Sequence, residues 1–279
     1  MFLEPVKKKE IETLFFDETS KKVFSHLLKK QLFSIPEVRK IDNPIPLRIP
    51  KEYLEVWVSQ MIDGDPIGSG SYPVDVISHS KSIAVDISGL TINYTPKGKF
   101  NRLTGEKSLG QKFKSENYGN LNEDLDDLFK NSKGEEIVAS FAQILNKKYN
   151  KVFEDKKNIT KIYILNFIFD NSAEKIYISV FKVDKDEIFN FKNGKISETT
   201  CIVENGINNH YGEIKAYKSK KRLELRLNAS NLLKDGFLLE TKYSFKSVKL
   251  KQVNLREVME KDDFADSLIA SSDIEIKFI

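Results

Sequence analysis

Asp75 and Asp86 each stand inside a short aliphatic run, in Pro73-Val74-Asp75-Val76-Ile77 and in Ile83-Ala84-Val85-Asp86-Ile87. A carboxylate among aliphatic side chains is costly unless it is paired, protonated or bound to a metal. The polar run Ser78-His79-Ser80-Lys81-Ser82 separates the two segments, which therefore read as adjacent strands of a hairpin. Carboxylates on neighbouring strands can converge on one point, and that point would suit a cation. The plainer alternatives are that the two aspartates cap strand ends, or that they pair with lysines in a half-exposed hairpin.

The elements that would position these residues follow from the apolar spacing. Residues 10–33 carry a helical pattern through Ile11, Leu14, Phe15, Val23, Phe24, Leu27 and Leu28, broken at Asp17-Glu18-Thr19-Ser20. Pro36, Pro44, Pro46 and Pro50 make 35–50 an extended connector. A helix over 51–62 follows, with Leu54, Trp57, Val58 and Met61 on one face and Glu52 and Glu55 beside it. Gly68-Ser69-Gly70-Ser71 leads into the hairpin, and Gly89 allows the second strand to bend or to pass into a third over 90–94. Helical spacing returns over 121–149, then strands over 161–169 and 175–183, the first apolar enough to be central and buried. The last third shows shorter alternating runs with basic residues interleaved.

Composition sets outer limits. The chain has 279 residues, 45 Lys plus Arg against 41 Asp plus Glu, and one cysteine. The net charge of +4 permits nucleic acid without demanding it. A lone Cys201 excludes an internal disulfide framework and reads as a small buried hydrophobe. His26, His79 and His210 lack the spacing of a zinc-protease helix. No run is long and apolar enough to span a membrane, and the N-terminus does not read as a signal peptide, so a cytoplasmic protein is expected.

The order of helix, Gly-rich lead, Asp strand, Asp strand, helix and buried strand over 51–185 resembles the core of the PD-(D/E)xK nuclease superfamily, which includes most type II restriction endonucleases. The motif there is an aspartate after a proline, then Asp or Glu, any residue and Lys. Pro73-Val74-Asp75 supplies the first part, with one residue between Pro and Asp, and Asp86-Ile87-Ser88 the second, with Ser88 where the family has lysine. The resemblance implies a mixed α/β fold with a central mixed sheet flanked by helices, and Mg²⁺-dependent, sequence-specific hydrolysis of duplex DNA by a homodimer. It implies Asp75 and Asp86 as metal ligands with the Ile87 carbonyl, and Glu55 or Glu52 as the acid brought from the preceding helix. In the family the lysine orients or polarises the attacking water; here Ser88, or Lys107 or Lys112 reaching in from elsewhere, would serve.

On this reading 1–50 is an N-terminal helical segment with a connector, 51–185 the catalytic core and 186–279 a β-rich part. DNA-facing candidates are Arg102, Lys107 and Lys112 in the loop over 95–120, and Asn209, His210, Lys215, Lys218, Lys220 and Arg222 in the last third. Lysines on phosphates would set affinity and salt dependence, not sequence choice. A solvated charged face is the alternative for the basic run. A second ExK-like triplet, Glu213-Ile214-Lys215, lacks an Asp-bearing apolar strand at a suitable distance upstream. A non-catalytic DNA-binding protein on a degenerate nuclease fold and an RNA-directed nuclease are the competing functions.

Overall fold

The computed structural model describes residues 1–33, 47–67, 72–92, 103–109, 113, 124–170, 174–245 and 274–279. Arg102, Lys112, the Gly-rich lead and all but the end of the proline-rich connector lie outside them.

The chain opens with β1 (Leu3–Pro5), α1 (Lys8–Phe15) and α2 (Glu18–Phe33). Asp17 starts the second helix: its Oδ1 accepts from the Ser20 backbone N–H at 2.8 Å and the Ser20 hydroxyl at 2.9 Å. Pro50 precedes α3 (Lys51–Met61), where its missing N–H costs nothing. Next come β2 (Asp65–Pro66), β3 (Val76–Ser78), β4 (Ile83–Thr91), β5 (Lys107–Ser108), α4 (Leu125–Lys130) and α5 (Gly134–Asp155). They are followed by β6 (Lys161–Asp170), β7 (Lys175–Val183), β8 (Lys192–Ile196), β9 (Thr200–Glu204), β10 (Gly212–Tyr217) and β11 (Arg222–Leu227). The chain ends with α6 (Ala229–Lys234), β12 (Leu238–Phe245) and β13 (Ile274–Phe278).

The fold is mixed α/β, with a mostly antiparallel central sheet flanked by helices. Among the described residues its eight strands run β13-β12-β7-β6-β4-β3-β2, with β1 pairing beside β7. Among the described strands only β4 and β6 pair in parallel, and α5 forms the crossover that such a connection needs. A second, antiparallel sheet runs β5-β11-β10-β9-β8.

Strand alternation sorts the central sheet into two cores. Val85, Ile87, Tyr163, Leu165, Phe167, Ile178 and Val180 face a layer made by α1, α2 and α3, where Phe24 packs on Phe16, Trp57, Phe167 and Phe278. Ala84, Leu90, Ile162, Ile164, Ile168 and Phe181 face α4, α5 and the second sheet. The final third is therefore split: β12 joins the central sheet, whereas β8 to β11 build the second sheet over the same core. Segments 1–50, 51–185 and 186–279 share these cores, with β1 of the first segment paired to β7 of the second.

Two expectations change. The helix expected over 121–149 is two helices, because Ser132 adopts φ 52° between them and Asp124 caps the first through the Asp127 N–H at 3.0 Å. The strand expected beyond Gly89 is part of β4, which runs through that glycine to Thr91. A Cβ there would meet the Phe169 ring at 3.3 Å and Leu54 at 3.4 Å, so glycine serves close packing, not a bend.

Candidate active site

The period of two in β4 puts Val85 and Ile87 on the helical face and turns Asp86 and Ser88 toward α5 and β5. Asp86 is 7% exposed and its two oxygens meet two ammonium groups. Lys107, from β5, donates to Asp86 Oδ1 at 2.8 Å and to Ser88 Oγ at 2.5 Å. Lys148, from α5, donates to Asp86 Oδ2 at 3.1 Å and to the Leu109 carbonyl at 3.0 Å. One lysine thus holds the strand and the other straps down the segment just after β5.

Burial alone would raise the Asp86 pKa, but the charges and hydrogen bonds of Lys107 and Lys148 outweigh it and hold the carboxyl well below the usual range. Burial pulls Lys107 below an ordinary lysine against the attraction of Asp86, and the Lys148 charge adds to the fall. Lys148 stays firmly protonated: burial opposes its charge, and Asp86 overcomes that penalty.

Asp75 sits one residue before the Val76–Val85 pair of the hairpin. Its backbone N–H donates to the Val85 carbonyl at 2.9 Å, and its Oδ2 accepts from the Ile87 N–H at 2.6 Å. Its other oxygen faces α3, where Lys51 donates to Oδ1 at 2.9 Å while also pairing with Glu55 Oε1 at 3.3 Å. Burial, and then the Asp75 charge, raise the Glu55 pKa against the pull of Lys51. For Lys51, burial lowers the pKa, but the Asp75 hydrogen bond and the charges of Asp75, Asp86 and Glu55 raise it further.

The structure therefore gathers Glu55, Asp75, Asp86, Ser88 and Lys107 around the open end of the hairpin, together with two lysines that sequence reasoning missed. Lys148 had a signal: it continues the apolar stripe Phe141, Leu145, Val152 of α5, where a lysine must find a partner. Lys51 had a weaker one, its i,i+4 spacing to Glu55. Asp86 gives both of its oxygens to lysines, and Asp75 takes the Ile87 N–H on Oδ2 and the Lys51 ammonium on Oδ1. Among the described residues no group of three acidic, His or Cys side chains is placed to hold a metal. A polar row continues inward at the same level, where Asn166 pairs with Ser88 in register and donates to Ser179 Oγ at 3.1 Å.

The DNA-facing candidates His210, Lys215, Lys218, Lys220 and Arg222 each lie beside a carboxylate. Lys215 pairs with Glu213 at 2.8 Å, Lys218 approaches Asp126 at 3.9 Å, and Arg222 pairs with Glu224 at 2.5 Å. Lys220 bridges Glu106 and Glu224, Arg226 also pairs with Glu106, and His210 Nε2 lies 3.0 Å from Asp235 Oδ2. The Glu213-Ile214-Lys215 triplet closes on itself, and Asn209 is exposed.

No protein-family model, no curated protein and no solved structure matches this chain.

Proposed function

We propose that the protein is a Mg²⁺-dependent endonuclease of the restriction kind, acting on duplex DNA as a homodimer through a PD-(D/E)xK-like core. The observation that carries this reading is the placement of Lys107. Its ammonium contacts Asp86 and the Ser88 hydroxyl, so a lysine from β5 supplies the charge that the motif would place at position 88. The succession of α3, β3, β4, α5, β6 and β7 supports the same core.

Mg²⁺ fits the half of the site that faces α3, where Glu55 and Asp75 offer hard oxygen donors. When bound, such a cation neutralises charge on a phosphoryl oxygen and lowers the pKa of a bound water. The chain's own part is geometric and electrostatic. Asp75 is fixed by the Ile87 N–H, Asp86 locks Lys107 and Lys148, and Lys107 presents a positive charge beside Ser88, where it would orient a water or a phosphate oxygen.

Asp86 held by two lysines also favours a second reading, a DNA-binding chain whose nuclease chemistry is lost. The two separate on incubation with long unmethylated duplex DNA in Mg²⁺ and in EDTA. Discrete Mg²⁺-dependent fragments, lost in Asp75→Ala and Lys107→Met with DNA binding retained, are the expected result. Binding without cuts in Mg²⁺ or Mn²⁺ selects the second reading, and cleavage confined to RNA selects an RNA-directed nuclease.

A further inference from the structure

Lys51 lies between two carboxylates and pairs with both. Its Nζ is 2.9 Å from Asp75 Oδ1 and 3.3 Å from Glu55 Oε1. Both acids are largely buried, with side chains 15% and 16% exposed, whereas the lysine side chain is 50% exposed. One ammonium reaches both, so the two carboxylates are near enough to repel when no cation separates them. An ammonium is a compact point charge on a flexible stem. It can leave toward solvent without dragging backbone, because Lys51 opens α3 and its stem is half out already. The lysines on Asp86 are different. Lys107 is 4% exposed, and Lys148 is also bonded to the Leu109 carbonyl, so removing either would strand a buried charge.

We propose that the Lys51 ammonium is a displaceable occupant of the cation position, and that a divalent ion enters between Glu55 and Asp75 by expelling it to solvent while Asp86 keeps both lysines. The inference rests on the cation-dependent reading above and deepens it: the ligand pair is Glu55 with Asp75, and apparent cation affinity is set by competition with a residue of the chain itself.

Trp57 is the single tryptophan and lies on α3 two residues beyond Glu55, so it can sensitise Tb³⁺ emission from this gap. Titrating the purified protein with Tb³⁺ tests the proposal without any DNA. Lys51→Met should bind Tb³⁺ on the order of tenfold more tightly, since the metal no longer competes with a bound ammonium. Lys51→Arg should stay near wild type, and Glu55→Gln and Asp75→Asn should lose the emission. In the wild type, labelling of Lys51 by an amine-reactive reagent, read by mass spectrometry, should rise as Tb³⁺ saturates. Equal affinity of Lys51→Met and wild type, unchanged Lys51 labelling, wild-type affinity in Glu55→Gln, or no sensitised emission in any variant would each overturn the proposal. DNA cleavage is scored separately: Tb³⁺ behaviour as described with no cuts would sink the nuclease reading and leave the cation site standing.

Discussion

Asp86→Ala is the most informative single change, because it removes the carboxylate shared by two buried ammonium groups. In the native chain Asp86 is 7% exposed and holds Lys107 at 2.8 Å and Lys148 at 3.1 Å. The variant leaves both lysines facing a cavity and each other. Breaking a buried pair in this way costs about 3–5 kcal/mol, because the remaining charge is desolvated without compensation. For a chain of this size each kcal/mol lowers Tm by roughly 2–4 °C, so thermal unfolding followed by circular dichroism should show a fall of about 6–20 °C at pH 7.

The pH dependence has a definite sign. Asp86 is held below its ordinary value of 3.8 in the folded chain, so its contribution is fully present above that value and is lost as pH falls through the lowered one. The gap between wild type and Asp86→Ala should therefore stay open at neutral pH and close only in acid. Toward pH 10 the variant should recover in part, since its stranded lysines can shed their protons. Replacing the whole triad with apolar residues, Asp86→Leu with Lys107→Met and Lys148→Met, should restore most of the loss, because no buried charge remains. An Asp86→Ala variant within about 1 kcal/mol of wild type at pH 7 would refute the argument. So would a triple variant no more stable than the single one.

Three further outcomes test the packing around the site. Phe24→Ala empties a fully buried position surrounded by four aromatic rings and should cost about 3–5 kcal/mol in denaturant unfolding. Gly212→Ala would set a Cβ 2.5 Å from the Arg226 carbonyl oxygen across the β10–β11 pair, and should lower stability by about 1–3 kcal/mol through forced strand separation. Cys201 is fully buried and its thiol is pushed up to about 11 by burial and by the Glu135 charge, so native protein should resist alkylation at pH 8 and react once unfolded; rapid native labelling would contradict the packing of β9 against α5.

The sequence by itself determined the elements whose signals are local. Proline before α3, Asp17 between α1 and α2, the alternating aliphatics of β4 and the nearly unbroken apolar run of β6 depend on neighbours within a few residues, and each could be read there. The two aspartates were legible for the same reason, since a charge inside an aliphatic strand must be answered by something. What answers it was decided by tertiary structure. Lys107 is brought to Asp86 by the pairing of β5 with β11, Lys148 by the crossover of α5 between β4 and β6, and Lys51 by the seating of α3 against the hairpin. Those partners lie 21, 62 and 24 positions away from the aspartates they meet, distances over which side-chain periodicity carries no phase information. The basic run over 215–226 shows the converse. Its residues looked available for phosphates, and the carboxylates that engage them include Glu106 and Asp126, a hundred positions or so earlier in the chain, placed alongside by the second sheet and α4. Local pattern fixes which strands and helices form, and only their packing decides which charges are left to do chemistry.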